Sequence, residues 1–400
     1  MRDIRAAFDY TIVMRLIETT TELAAICDRL ANERFVAVDT EFMREQTFWP
    51  QLCLVQLAGP SPNQEFLIDP LAGGIDLAPL VSLMTDRPPV KVFHAARQDI
   101  EIVHIMSGRV PAPLFDTQVA AMVCGFGESI SYVNLVKRVL GQDLDKSSRF
   151  TDWSRRPLSQ KQLVYALGDV THLRDVYVQL DEKLKSTGRH AWLAEEMAAL
   201  GDPETYVLRP EDAWKRLKLK VRNRRSLAVL IELAAWRDGL AQSLNVPRNR
   251  VLRDEALYDV ANQAPTDVAA LSGLRTLSDG FARSQRAKEI IEVVKRGLAR
   301  DLKTVPPIPG GPALSADANA LVDLLRVLLK AAAARHSVAP RLIADADELE
   351  RLATEDEPDI AVLKGWRREL FGADALRLKR GEVAIVVRKG EVVTVDAPKA

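Results

Sequence analysis

The chain has 400 residues, 47% of them hydrophobic, and its 55 lysines and arginines balance its 55 aspartates and glutamates. This composition excludes a disordered or collagen-like chain, and the length predicts two or three globular domains. The three cysteines lie far apart among apolar neighbours, which favours reduced, buried thiols in the cytoplasm over a disulfide framework. Charged residues interrupt apolar stretches such as 321–334, so we expect neither export nor membrane insertion.

Residues 10–200 alternate short apolar runs with helical patterns. The apolar and β-branched runs predict strands at 35–38, 52–57, 65–68 and 90–93, and helical spacing predicts helices at 20–32 and 99–106. Short polar or proline-rich connections separate the first three strands, which indicates an antiparallel meander. With the following helix and crossover strand, this pattern predicts an α/β domain with a mixed sheet.

Strand patterns stop after residue 203, and residues 211–300 predict a bundle of helices. Apolar residues spaced three and four apart form one stripe there: Leu230, Leu233, Trp236, Leu240 and Leu244. The proline- and glycine-rich segment 301–313 predicts a linker. Residues 314–400 predict two or three helices and a β-hairpin that turns at Lys389-Gly390. We therefore predict domains at 1–210, 211–300 and 314–400, the last similar in size to the second and a candidate divergent copy of it.

Asp39 and Glu41 are two carboxylates at positions i and i+2 of the first long strand. Side chains alternate along a strand, so both point to one face while Thr40 points to the other. Two like charges held close together are costly unless a cation lies between them, and Mg²⁺ or Mn²⁺ prefers oxygen ligands. The alternative is that both residues end the strand as solvated surface charges.

Two further elements carry groups that suit hydrolysis. Tyr165 and Asp169 are four residues apart in a helical pattern, so they share one helical face. A tyrosine hydroxyl can orient or deprotonate a water, and an aspartate one turn away can hold a metal. Asp99 follows the strand that ends at Phe93, at a sheet edge where ligand sites are common. The alternatives are a surface tyrosine and aspartate, and a simple helix-capping role for Asp99.

In combination these residues resemble a known family. Asp39-x-Glu41, Asp99 and Tyr165-x-x-x-Asp169 resemble, in order, the three exonuclease motifs of the DEDD superfamily in its tyrosine-containing subclass. The short sequence segments at 39–42, 50–57, 94–99 and 152–158 narrow this resemblance to the bacterial ribonuclease D family. Residues 211–300 are similar to the HRDC domain that this family shares with RecQ-type helicases, and 314–400 to a second, divergent HRDC-like domain. The chain lacks a G-x-x-x-x-G-K-[ST] phosphate loop, which excludes a helicase.

The resemblance implies an RNase H-like fold and hydrolysis assisted by two divalent metal ions, Mg²⁺ or Mn²⁺. It implies that Tyr165 positions the attacking water and that four carboxylates bind the ions, with Asp39 the bridging ligand: Asp39, Glu41, Asp99 and Asp169. The expected products are nucleoside 5′-monophosphates released from an RNA 3′ end. The family further implies tRNA precursors with 3′ tails as substrate, and we expect a monomer.

Basic residues in two segments are candidates for binding RNA phosphates. The first segment, 214–225, is the densest basic stretch of the chain and carries Lys218, Lys220 and Arg222. The second precedes the third exonuclease motif and carries Arg149, Arg155 and Arg156. For the first segment the alternative, a solvated face without function, is equally open.

Three aromatic residues are candidates for stacking on the terminal bases of the substrate: Phe42, Phe48 and Trp49. The alternative is that they belong to the core, which is the commoner fate of aromatic side chains. Taken together, the sequence predicts a cytoplasmic, metal-dependent 3′–5′ exoribonuclease. A DNA exonuclease of the same superfamily and a catalytically inert nucleic-acid-binding scaffold are the alternatives.

Overall fold

The computed structural model describes residues 16–144, 151–282, 284–308 and 314–397. These residues form two compact units. Unit 1 holds the described residues of Met1–Glu41, Leu52–Thr205 and Leu314–Ala400, and unit 2 those of Phe42–Gln51 and Tyr206–Ala313. No described helix is long and apolar enough to cross a bilayer. The predicted division into three domains stays a prediction.

A six-stranded sheet with the order β1-β4-β3-β2-β5-β6 is the centre of unit 1. Its strands are β1 (Leu16–Ile17), β2 (Phe35–Met43), β3 (Gln51–Ala58), β4 (Glu65–Ile68), β5 (Val90–Phe93) and β6 (Leu114–Asp116). Strands β2, β5 and β6 run parallel to one another, whereas β3 and β4 are antiparallel. The predicted mixed α/β sheet is therefore confirmed. The sequence pattern did not indicate β1 and β6, because runs of two and three residues are too short to show alternation.

Seven helices surround this sheet in sequence order: α1 (Thr20–Leu30), α2 (Ala78–Thr85), α3 (Arg97–Ser107), α4 (Thr117–Val123), α5 (Tyr132–Leu140), α6 (Gln160–Thr187) and α7 (His190–Leu200). Helix α6 begins with a capping box, in which Ser159 and Gln162 satisfy each other's backbone N–H groups. Because β2 and β5 are adjacent and parallel, their carboxyl ends meet at one edge of the sheet. Asp39 and Glu41 lie toward the end of β2, and α3 with Asp99 begins just after β5.

The C-terminal segment packs into the core of unit 1. It contains α14 (Ala316–His336), α15 (Pro340–Ile343), α16 (Ala346–Thr354), α17 (Gly365–Arg367), a π-helical turn (Arg368–Gly372), α18 (Ala373–Lys379) and a hairpin of β7 (Val383–Arg388) and β8 (Glu391–Asp396). Trp366 stacks on Trp192 of α7 with ring centroids 4.5 Å apart. The guanidinium of Arg189 donates hydrogen bonds to the carbonyls of Val123, His336 and Ser337. Residues 314–397 and the sheet-bearing segment thus share one hydrophobic core.

Unit 2 is helical and is built around a long helix, α8 (Arg224–Leu244). The others are α9 (Arg248–Val251), α10 (Asp254–Gln263), α11 (Val268–Ser272), α12 (Asp279–Ala282), α13 (Gln285–Ala299) and 3-10 turns at Pro210–Arg216 and Leu302–Thr304. A further 3-10 turn, Pro203–Tyr206, lies at the boundary of the two units along the chain. The predicted stripe is present in part: Leu230 and Leu233 are fully buried and Trp236 and Leu240 half-buried, whereas Leu244 is 49% exposed. Helix α8 ends at Asn245, whose side-chain carbonyl accepts the backbone N–H groups of Phe48 and Trp49 at 3.1 and 3.0 Å. The segment 42–51 is held in unit 2 by these two hydrogen bonds.

Candidate active site

Three of the four predicted acidic residues form a compact group in unit 1. Asp39, Glu41 and Asp169 each offer a carboxylate oxygen, and these oxygens lie within 4.8 Å of one another. Strand alternation brings Asp39 and Glu41 to one face, and α6 supplies Asp169. Burial, followed by the charge of Asp169, raises the pKa of Asp39 well above its ordinary value. The protein therefore holds like charges together at a cost that a bound cation relieves.

Asp99 lies beside this group rather than within it. Its side chain is 8% exposed, and its carboxylate accepts a hydrogen bond of 2.5 Å from the hydroxyl of Thr40. Burial, followed by the charge of Asp39, raises the pKa of Asp99 to about 8. The two carboxylates are thus close enough to interact electrostatically, although Asp99 is not one of the three whose oxygens converge.

Tyr165 lies one helical turn before Asp169 on α6, as the spacing predicts. Burial, followed by the negative charges of Asp169, Glu41 and Asp39, raises the pKa of Tyr165 far above its ordinary value. Burial and these charges therefore favour the neutral form of the Tyr165 hydroxyl. Its ring lies 6.1 Å, centroid to centroid, from the buried ring of Trp153.

Two residues near the carboxylates were not indicated by the sequence pattern. The hydroxyl of Tyr132, in the first turn of α5, donates a hydrogen bond to the backbone carbonyl of Asp169. The buried carboxylate of Asp116 accepts backbone N–H groups of Ala95 and Ala96 at 3.1 and 2.8 Å, and caps α4 as well. Both contacts join residues at least 20 positions apart, so local periodicity carries no trace of them.

The donor set fits a hard divalent cation. In the described part of the chain, the converging group consists of carboxylate oxygens alone, which are the ligands that Mg²⁺ and Mn²⁺ prefer. All three carboxylates are half-buried, so they are partly shielded from water and yet accessible to an ion.

Two of the predicted substrate-binding residues make extensive contacts within their own units. Phe48 is 6% exposed, packs in the core of unit 2, and lies 4.4 Å below the guanidinium of Arg248, so its ring is not available for stacking on a base. Arg156 binds the buried Asp69 through two hydrogen bonds of 2.6 and 2.7 Å, so its charge is used inside unit 1. The sequence alone did not distinguish these structural contacts from substrate contacts.

The other predicted substrate residues that the structure describes are exposed or half-exposed. Phe42 and Trp49 are half-buried, and the Trp49 ring makes an edge contact with Phe48 at 4.7 Å. The Arg155 side chain is 85% exposed. Arg149 lies outside the described residues. Lys218, Lys220 and Arg222 are all exposed on an extended segment of unit 2.

Comparisons with known proteins match both the sheet-bearing segment and the helical segment that follows it. A family model described as 3′–5′ exonuclease matches residues 14–185, and the HRDC domain family matches residues 226–294. A ribonuclease D of Nitrobacter hamburgensis is 53% identical over 383 residues, which cover 96% of this chain and 100% of that protein. A ribonuclease D of Acidiphilium cryptum is 51% identical, covering 96% of this chain and 97% of that protein.

A solved structure gives the same result. The crystal structure of Escherichia coli RNase D, an exoribonuclease involved in structured RNA processing, covers 92% of this chain and 98% of its own, with a TM-score of 0.78 and 29% sequence identity. The resemblance inferred from the acidic motifs is therefore confirmed. The chain belongs to the ribonuclease D family, and it is a 3′–5′ exoribonuclease that contains an HRDC domain.

Proposed function

We propose that this exoribonuclease hydrolyses RNA 3′ ends with two divalent metal ions, Mg²⁺ or Mn²⁺, and releases nucleoside 5′-monophosphates one at a time. The observation that supports this proposal is the convergence of carboxylate oxygens from Asp39, Glu41 and Asp169 within 4.8 Å. Asp99 is the fourth proposed ligand, because the charge of Asp39 contributes to its raised pKa and the two carboxylates therefore lie near each other. As the family resemblance implies, Asp39 would be the ligand shared by both ions. When bound, such ions polarise a phosphodiester and lower the pKa of a bound water.

The residues of the chain then have separate tasks. The four carboxylates neutralise and fix the ions at the edge of the sheet where β2 and β5 end. Tyr165, whose neutral hydroxyl is favoured by burial and by the neighbouring carboxylates, donates or accepts a hydrogen bond that orients the attacking water.

The experiment compares RNA with a labelled 5′ end and a single-stranded 3′ tail against DNA of the same sequence, in Mg²⁺, Mn²⁺ and chelator. We expect stepwise shortening of the RNA in either metal and none in chelator. Asp39→Asn and Asp169→Asn should lower the rate at least about a thousandfold, the scale of removing a group that acts in the transition state. Glu182→Gln, which removes an exposed carboxylate from the same helix α6, is the matched control. Full activity of Asp39→Asn would refute the metal assignment, and faster shortening of DNA would favour the alternative of a DNA exonuclease.

We also propose that an extended basic segment of unit 2 binds the RNA backbone. Lys218, Lys220 and Arg222 are exposed, whereas the residues that alternate with them, Leu217, Leu219 and Val221, pack against the core. The side chain of Asn262 accepts the N–H of Arg222 at 3.0 Å and donates to the carbonyl of Lys220 at 2.9 Å. These two hydrogen bonds hold the segment in an extended conformation. Because alternate side chains of an extended segment point to the same side, the three cations project together.

Replacing these three cations by glutamine tests the segment. Neutralising three phosphate contacts with single-stranded RNA should reduce the slope of log K against log salt by about 2. A control triple variant removes the same charge from α13, at Lys288, Lys295 and Arg296. Equal effects of both triple variants would show a general charge effect and refute a specific contact.

Finally, we propose precursor tRNAs with 3′ tails as the substrate, a cytoplasmic location and a monomeric state. The support for the substrate is the similarity to the Escherichia coli RNase D, an exoribonuclease involved in structured RNA processing. The proposal predicts that removal of the tail from a tRNA stops near the terminal base pair of the acceptor stem. An unstructured RNA with the same tail should be degraded throughout. Sedimentation of the purified protein tests the monomer.

A further inference from the structure

Thr40, which lies between the two acidic residues of β2, makes a hydrogen bond to Asp99, the proposed ligand outside the converging group. It lies between Asp39 and Glu41 but points to the opposite face of the strand, where it lines an apolar cavity with Val38 and residues of α2 and α3. Asp99 is carried by the first turn of α3, on this same side of the sheet. The Thr40 hydroxyl therefore reaches Asp99 and donates to its Oδ1 at 2.5 Å.

The backbone that carries Asp99 is fixed independently. Ala95 adopts a left-handed conformation with φ 58°, which a residue with a Cβ rarely does without support. The support is Asp116, 3% exposed, whose carboxylate accepts the N–H groups of Ala95 and Ala96 before α3 begins. The Cα of Asp99 is thus held in place by the turn, and what remains free is the rotation of its side chain.

The Thr40 hydrogen bond removes that freedom. A carboxylate has about four lone-pair sites, so a single hydrogen bond to one oxygen fixes its rotation and leaves acceptor sites for a cation. The carboxylate also accepts a hydrogen bond from the backbone N–H of Asp99 itself, so without the Thr40 hydroxyl this local contact is left to set its direction next to the apolar cavity. Outer hydrogen bonds of this kind orient metal ligands in many proteins.

We propose that Thr40 is a positioning residue that orients the Asp99 carboxylate for metal binding. Thr40 would thus orient the fourth ligand, Asp99, while its two neighbours in the chain, Asp39 and Glu41, are ligands themselves. This inference rests on the proposed role of Asp99 as a metal ligand. It assigns no contact between Thr40 and the substrate or the ions.

The test uses two substitutions that differ in the hydroxyl. Thr40→Val keeps the branched shape and fits the apolar cavity, whereas Thr40→Ser keeps the hydroxyl and loses a methyl group. For Thr40→Val we expect the metal concentration that gives half-maximal activity to rise about tenfold, the lower end of the range for losing an outer hydrogen bond to a ligand. Thr40→Ser should stay within about twofold of the parent, since its hydroxyl can make the same hydrogen bond. Calorimetric titration with Mn²⁺ in the absence of RNA should show the same order of affinities.

The outcomes separate this inference from the proposed function. Urea unfolding in chelator checks that both Thr40 variants are folded, and Asp99→Asn measures the role of Asp99 itself. Full activity of Asp99→Asn would refute the assignment of Asp99 as a ligand. If Asp99→Asn is inactive but Thr40→Val has the metal dependence of the parent, only the role of Thr40 is refuted. Equal loss in Thr40→Val and Thr40→Ser would likewise overturn it, since the hydroxyl would then not be the cause.

Discussion

Arg156→Met should unfold unit 1 more easily without weakening RNA binding by the folded protein. The guanidinium of Arg156 has five N–H groups, and all five are engaged. Two bond the carboxylate of Asp69 at 2.6 and 2.7 Å, and three bond the carbonyls of Cys53, Trp153 and Arg155 at 2.6, 2.7 and 2.9 Å. The side chain therefore has no donor left for a phosphate.

The magnitude follows from the partner that is left behind. The side chain of Asp69 is 4% exposed. Without Arg156, this buried carboxylate loses its ion pair but still accepts a hydrogen bond of 2.8 Å from the backbone N–H of Leu71. Removing one partner of a buried ion pair costs about 3–5 kcal/mol. The side chain of Arg156 is 26% exposed, so water can partly replace it, and we expect a loss near the lower end, about 3 kcal/mol.

The neighbouring Arg155 is the matched control. Its side chain is 85% exposed and lies 3.8 Å from Asp152, so Arg155→Met should change the free energy of unfolding by less than about 0.5 kcal/mol. If Arg155 contacts RNA, this substitution weakens binding instead. Urea unfolding followed by circular dichroism gives the stability, and fluorescence anisotropy with labelled RNA in chelator gives the affinity.

A double-mutant cycle completes the test. Asp69→Asn combined with Arg156→Met removes both charges. The double variant should therefore lose about 2 kcal/mol less free energy of unfolding than the two single variants lose in sum. The reasoning is refuted if Arg156→Met keeps the stability of the parent and loses RNA affinity. Arg156 would then be the substrate residue that the sequence suggested.

Three further predictions concern packing and thiol chemistry. Gly297→Ala should lower the stability of unit 2 by about 2 kcal/mol in thermal unfolding, because its Cβ would lie 2.6 Å from the Cα of Val229; Gly280→Ala, with open space around it, is the control. Arg189→Ala removes three hydrogen bonds to backbone carbonyls and should cost about 2 kcal/mol, seen as faster proteolysis of residues 314–397; unchanged proteolysis would contradict this role. Burial raises the pKa of Cys27 to about 12 and that of Cys124 to about 11, so a thiol reagent at pH 8 should modify them only after unfolding, and rapid labelling of the folded protein would refute their burial.

The sequence by itself determined the features that depend on local spacing. Alternation along β2 placed Asp39 and Glu41 on one face, and the four-residue interval placed Tyr165 one turn before Asp169. These periodicities are properties of the backbone and hold in any fold that keeps the elements. The family was identified by the resemblance of the acidic motifs and their flanking sequences to known ones.

Tertiary structure alone decided which side chains are used for structure and which stay available. Phe48 and Arg156 are of residue types that often bind nucleic acid. The Phe48 ring, however, is buried in the core of unit 2, and Arg156 pairs with Asp69, 87 positions away. Thr40 and Asp116 carry no signal in the sequence, because their partners lie 59 and 20 or 21 positions away. Burial and long-range hydrogen bonds depend on how the whole chain packs, and short-range periodicity does not encode them.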